Sequence, residues 1–173
     1  MARPEIGHGI KEIVKALVEK IELFTGVPCE YQPVLIGAQE TTLILVPSGF
    51  EIEHESKTRA GNYEQITAIL KLQSVLTGEG VSDEFLAETM EASLKISILF
   101  REPVVVPVAS NFNVIFSATP SAKGRYYSLE EEGFVYEEVW DGNLYFPLTV
   151  FTKPDGFSLE FLGWKKEIKT GGA

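Results

Sequence analysis

Cysteine is nearly missing from this chain: Cys29 is the only one in 173 residues. No disulfide can form within it, which fits a reducing compartment. With nothing nearby in the sequence to activate a thiol, Cys29 reads as a small packed side chain and not as a nucleophile. Histidine is scarce too, with His8 and His54 the only two, so a zinc site would have to gather carboxylates from elsewhere. Long hydrophobic runs are absent. Nothing approaches the ~20 apolar residues that a spanning helix needs, and the N-terminal "GIKEIVKALVEKIEL" is broken by charge every few residues, unlike a secretory core. The chain reads as soluble and made in a cytoplasm.

Positive charge is the next shortage. Lys and Arg number 15 against 25 Asp and Glu, a formal net charge of −10. Residues 1–100 hold 15 of the acids and 8 of the bases, so the excess sits mainly in the first part. Such a surface repels phosphate backbones, which argues against gripping nucleic acid through counterion release, though not against passing close to it. Chemical motifs are lacking as well. There is no Walker-type Gly-Lys-Ser/Thr run, no G-x-S-x-G, no H-E-x-x-H and no dinucleotide G-x-G-x-x-G. "TGEGVS" has two glycines but no lysine, and reads as a loop.

What is present is periodicity. Ile10, Ile13, Val14, Leu17, Val18 and Ile21 recur at helical spacing, with charges of both signs on the other faces, and Gly26 and Pro28 end the pattern. The mixed charge marks a core or subunit contact and not a membrane-lying face. "TTLILVP" (41–47) reads as a short apolar strand bounded by Pro47 and Gly49. A long hairpin follows. Phe50, Ile52 and His54 point one way and Glu51, Glu53 and Glu55 the other, with no base in the acidic row. "SKTRAG" forms a polar tip and Asn62 opens the return strand. A ribbon of this length outruns a small core, so its tip should project.

Ser82 is a candidate N-cap for a second helix, with Asp83 and Glu84 near the positive end of its dipole. Leu94, Ile96, Ile98 and Phe100 also alternate like a strand, but no turn residue intervenes, which favours helix to about residue 99. "EPVVVPVASNFNVIFSATP" reads as extended, with Pro103 and Pro107 confining its start to an edge or a linker. Thirteen of the nineteen aromatics lie between Phe112 and Trp164. Within that region "GFVYEEVWDGNLYFPLTVF" reads as a second hairpin turned at Asp141-Gly142-Asn143, "DGFSLEFLGWKK" as a last strand, and "KEIKTGGA" as a loose tail. The expected fold class is α+β: an antiparallel sheet with a long protruding hairpin, two helices on one face and a β-rich C-terminal part. Residues 1–118 form the core with the hairpin, and 119–173 an aromatic extension of the same domain.

Two clusters invite chemistry. Glu53-His54-Glu55 looks like a metal site, yet on a strand His54 faces away from both glutamates, so the three cannot share an ion. Glu130-Glu131-Glu132 beside Tyr126 and Tyr127 could serve a small glycoside-cleaving enzyme if paired carboxylates flanked a groove; adjacent loop glutamates more often stay in water. An alternative of another class is a carbohydrate- or peptide-binding module, which requires two or three of Tyr126, Tyr127, Tyr136, Trp140 and Tyr145 exposed on one flat face. The chain is expected not to be an enzyme, and no cofactor or metal is called for.

The order of elements carries one resemblance. An amphipathic N-terminal helix, a long ribbon with "AGNYEQITAILKL" on its return, a helix opening "SDEFLAETMEASL" and a final sheet edge resemble the tail terminator and tail-completion (neck) proteins of long-tailed bacteriophages, over residues 8–118. The resemblance implies a virion structural protein located in the tail or neck. It implies a homo-oligomeric ring, commonly a hexamer, that ends the tail tube and meets the head connector or adaptor. Tail tube protein and connector would be its partners, and DNA would pass through the hole without specific binding. On that reading Glu51, Glu53 and Glu55 line or border the channel, while Lys57, Arg59 and Asn62 at the ribbon tip meet a neighbour.

Overall fold

A computed structural model describes residues 6–57, 63–109, 112–129, 133–153, 156–161 and 164–169. Along the chain lie α1 (Ile6–Thr25), β1 (Cys29–Tyr31), β2 (Thr42–Lys57), β3 (Tyr63–Gly80), α2 (Asp83–Leu99), β4 (Val104–Ala109), β5 (Phe112–Ser128), β6 (Phe134–Lys153), β7 (Gly156–Phe161) and β8 (Trp164–Lys169). The sheet runs in the order β1-β2-β3-β6-β5-β4, with β7 on the far end of β6 and β8 beyond β7. Only the β1–β2 pairing is parallel; the other pairings are antiparallel. This is the expected α+β class.

The end of α1 and the start of α2 lie where local chemistry dictates. α1 ends at Gly26, whose φ of 69° suits a residue without Cβ, and Gly26 N–H donates to Glu22 O at 2.8 Å. Thr25 Oγ1 donates to Ile21 O at 2.7 Å and accepts from Val27 N–H at 3.1 Å, tying off the last turn. α2 is capped by Ser82 Oγ, which accepts from Phe85 N–H at 3.3 Å, with Asp83 and Glu84 in its first turn. The helical reading to residue 99 holds.

One face of the sheet carries the core. Leu43, Leu45, Leu72, Leu76, Trp140 and Leu144 from the sheet join Ile13, Leu17 and Ile21 of α1 and Phe85 and Ile96 of α2 in a single buried cluster. α1 touches β1 and also β4, the two end strands of the six-strand path, while α2 lies against α1 and β3. A sheet whose opposite ends reach the same helix must curl around it, so the architecture is a half-barrel with α1 along its open side.

Three sequence-based expectations are corrected. "TTLILVP" is not a separate strand: β2 runs from Thr42 to Lys57, and the Pro47/Gly49 pair marks a bulge at Ser48. The extra residue exchanges inward and outward positions. Leu43 and Leu45 face the helices before it, and Phe50 and Ile52 do so after it, as their partners Leu76, Ser74, Leu70 and Ala68 require. Second, Asp141-Gly142-Asn143 is no turn. β6 passes straight through it, with Gly142 opposite Leu72 on one side and Ala118 on the other. A Cβ at Gly142 would lie 2.4 Å from Phe116 Cζ and 2.8 Å from Leu72 O, so this glycine marks where a core ring crosses the strand. Third, the final segment forms a hairpin of two strands, with β8 reaching Lys169 into the stretch expected to be loose.

The long hairpin is present, but its two edges differ. The β3 edge is covered by β6 from Tyr63↔Phe151 to Gly80↔Phe134. The β2 edge pairs with β1 only at Leu43–Leu45, and among the described residues it is open beyond that. It carries Pro47 and bulges near Ser48 and Glu55, and the edge strand β4 carries Pro107 and a bulge of its own. Proline and bulges make a poor template for a further strand, which protects a lone molecule from edge-to-edge pairing.

Gly142→Ala should destabilise the fold by about 1–3 kcal/mol, because Phe116 and the β3 backbone must both give way. Ser74 offers a contrast. Its buried hydroxyl has no hydrogen-bond partner among the described residues, so Ser74→Ala should be neutral or stabilising by up to about 1 kcal/mol. Urea unfolding of the two variants checks both; a neutral Gly142→Ala would contradict the crossing described above.

Candidate functional site

Of the six residues singled out on the ribbon, the structure brings two together clearly. Glu51 and Glu53 stand on the sheet face opposite the helices, both exposed, across from Ile69 and Thr67. The base that the strand itself lacks comes from its neighbour: Lys71 Nζ lies 2.6 Å from Glu51 Oε1. Both groups are well solvated, so the pair contributes no more than about 1 kcal/mol. Glu55 falls at the second bulge, where pairing passes from His54 to Ser56, so it holds no register position in the outward row. Lys57 is the last paired residue, opposite Glu64. Arg59 and Asn62 lie outside the described residues. On the inward face, Ala68 of β3 and Phe146 of β6 remain buried while the edge strand β2 is less covered. Phe50 and Ile52 are half exposed there, with the Phe50 ring 6.4 Å from that of Phe146.

A second acidic surface escaped the sequence reading. Glu40 from the loop before β2, Glu79 at the end of β3, and Glu84, Glu88 and Glu91 of α2 line one cleft of about 640 Å³. Lys95 is its single lysine, and it is engaged by Glu91 at 2.9 Å. The only advance signal was the three- and four-residue spacing of the α2 glutamates, which places them on one flank. Their meeting with Glu40 and Glu79 is a tertiary event. Such a cleft disfavours phosphate and carboxylate ligands.

The chemical candidates can be placed in turn. Cys29 is buried, and its backbone N–H donates to Glu22 Oε1 at 2.9 Å. Burial, with Glu22 and Glu30 nearby, pushes its thiol far above the ordinary value, so little thiolate exists to attack or to bind metal. Among the described residues no three His, Cys, Asp or Glu side chains are close enough to hold an ion. The side chains of His8 and His54, and the whole of Glu130–Glu132, lie outside the described residues.

The flat aromatic platform is contradicted. Trp140 and Tyr136 are buried on the helix side, where Trp140 and Phe116 each meet Phe100 edge-on at 5.7 Å. Tyr126 is partly buried, its ring 4.9 Å from Tyr136. Tyr127 and Tyr145 occupy register positions on the opposite face. Strand alternation divides the five between two faces, and packing claims most of them.

Two of these tyrosines serve a polar pin between α2 and the sheet. Tyr136 OH and Ser93 Oγ both donate to Glu138 Oε2, at 2.7 and 2.6 Å, and Tyr126 OH shares a hydrogen bond of 2.6 Å with Thr89 Oγ1. Burial, and then the hydrogen bond to Glu138, push the Tyr136 phenol well above its usual range.

No helix among the described residues is long and apolar enough to cross a membrane. No protein-family model matches the sequence, and no curated protein matches it. The fold is similar to that of a chain from the virion of a native gene transfer agent particle, at 10% identity and a TM-score of 0.36, covering 72% of this chain and 84% of that one. A likeness at that score assigns neither a family nor a role.

The buried acids generate a pH dependence. A group whose folded pKa is raised contributes stability that is fully present below its unfolded pKa and is lost as pH climbs from there toward the raised value. The ordinary values are 9.0 for Cys29 and 10.0 for Tyr136. Melting temperature should therefore decline from about pH 9 upward. Cys29→Ala should flatten the first part of that decline and Tyr136→Phe the later part. Thermal melts between neutral and strongly alkaline pH check this, and an unchanged slope in both variants would count against it.

Proposed function

We propose that this chain is a virion structural protein that assembles into a ring, six copies being the expected number, which terminates a phage tail tube and joins it to the head connector. The observation that carries the reading is the exposed carboxylate row of Glu51 and Glu53 on the ribbon face opposite the helices. A passage for DNA works best when its wall is acidic or neutral, because basic walls would retain phosphates and slow their transit. A net charge of −10 serves the same end. Support also comes from the apolar side chains left open to solvent on the ribbon and on both helices, where a contact with another subunit would cover them. The blunted edges of β2 and β4 turn such assembly away from shared β-sheet and toward side-chain contacts.

Replacing Glu51, Glu53 and Glu55 together by lysine should leave folding intact, since Glu51 and Glu53 are exposed. It should slow DNA ejection from particles carrying the variant, by an amount that shrinks at high salt. Ejection at the wild-type rate would remove the channel assignment. Sedimentation of the purified wild type should reveal a ring-sized species, alone or on adding tail tubes; monomer throughout would remove the ring.

A further inference from the structure

The loop between β1 and β2 does something unusual with apolar residues. Val34, Leu35 and Ile36 follow one another at its tip, and Val34 and Ile36 are 71% and 87% exposed. The loop is nonetheless held in one shape. Gln32 Oε1 accepts from Ile36 N–H at 2.8 Å and from Gly37 N–H at 3.4 Å. Gln32 Nε2 donates to Gly37 O at 3.2 Å and to Glu30 Oε1 at 2.9 Å. Gly37, at φ 96°, reverses the chain. A stapled apolar tip loses little conformational freedom when it docks, which is what a contact element requires.

A matching surface lies on α2. Met90, Leu94 and Ile98 recur every fourth residue on the side of the helix away from the buried Phe85, Ala92 and Ile96. Leu94 is 61% exposed. At its C-terminal end this strip opens into a groove of about 720 Å³ that Ile98 lines together with Phe24 of α1 and Val105 of β4. Phe24 is itself 62% exposed. Lys20 and Arg101 stand on the groove's rim together with Glu102. Neither base is in an ion pair among the described residues, in a chain rich in carboxylates. The loop, by contrast, is flanked by the exposed Glu30 and Glu40.

We infer that the Val34–Ile36 loop tip of one copy seats on the α2 strip and its groove in the next copy, with Glu30 and Glu40 brought toward Lys20 and Arg101. The inference deepens the ring reading and rests on it. A protrusion that fits a different surface of an identical molecule makes a head-to-tail contact, and such contacts close into rings when the rotation allows. The occupant is a second copy because the tip and the strip carry complementary flanking charge on the same chain.

The test is sedimentation of Ile36→Glu and Ile98→Glu, alone and mixed, under the conditions in which the wild type assembles. Circular dichroism should show both folded, since both sites are solvent-exposed. Each variant alone should need at least about a tenfold higher concentration for half-assembly. The equimolar mixture should form one-to-one dimers and nothing larger, because the intact loop of one variant still fits the intact strip of the other. Gln32→Ala, which alters neither apolar surface, should also weaken assembly. Loss of assembly in Ile98→Glu with full assembly in Ile36→Glu would mean that strip packs on strip, and would overturn the contact while leaving the ring standing. Full assembly in both variants would overturn it too. A wild type that never associates would sink the ring reading and the contact together.

Discussion

The ladder between β3 and β6 carries the molecule. β3 and β6 pair without a register break from Tyr63 to Gly80, each turning the other half of its backbone groups to β2 or β5. They therefore stay continuous along the middle of the sheet. Such a ladder has two faces, and only one can be covered by two helices. The covered face becomes the core, and the other mixes the exposed Glu51 and Glu53 with the buried Ile44, Ile69 and Val75. Glu51 and Glu53 stand opposite the helices, while Phe50 and Ile52 face the helix side but are half exposed on the edge strand β2.

Close packing near the middle of that ladder explains two features that otherwise look accidental. Phe116 leans across β6 at the one residue that lacks a Cβ, and its ring and that of Trp140 each pack edge-on against Phe100 at the end of α2. α1 then reaches both end strands of the curled sheet. On the open edges of β2 and β4, prolines and bulges interrupt the strand. Among the described residues the β2 and β4 edges are poor templates for backbone pairing, and the chain offers partners side-chain surfaces as well: an acidic ribbon face, an acidic cleft beside α2, and apolar tips and strips.

Much of this was legible in the residues. The helices were, because 3.6-residue periodicity with a Ser82 cap and a Gly26 stop is local information. The outward glutamates were too, because alternation along a strand needs only the strand. The middle of β6 was not. Asp-Gly-Asn has turn chemistry, and nothing local shows that a ring from another strand occupies the space where a side chain would be. Nor was the parity change at Ser48, which only the partner strand reveals. The aromatic platform failed for a related reason: composition counts tyrosines and tryptophans but does not say which face of which strand each will take.

By itself, then, the order of residues determined the element types, the acidic balance and the division of Glu51 and Glu53 from Phe50 and Ile52, all of which depend on spacings of a few residues. Only the tertiary structure decided that Lys71 would answer Glu51, that Glu40 and Glu79 would join the α2 glutamates, and that one stapled loop would stand apolar in water. Those outcomes depend on which distant strands become neighbours, and neighbours are chosen by how the whole sheet curls around α1.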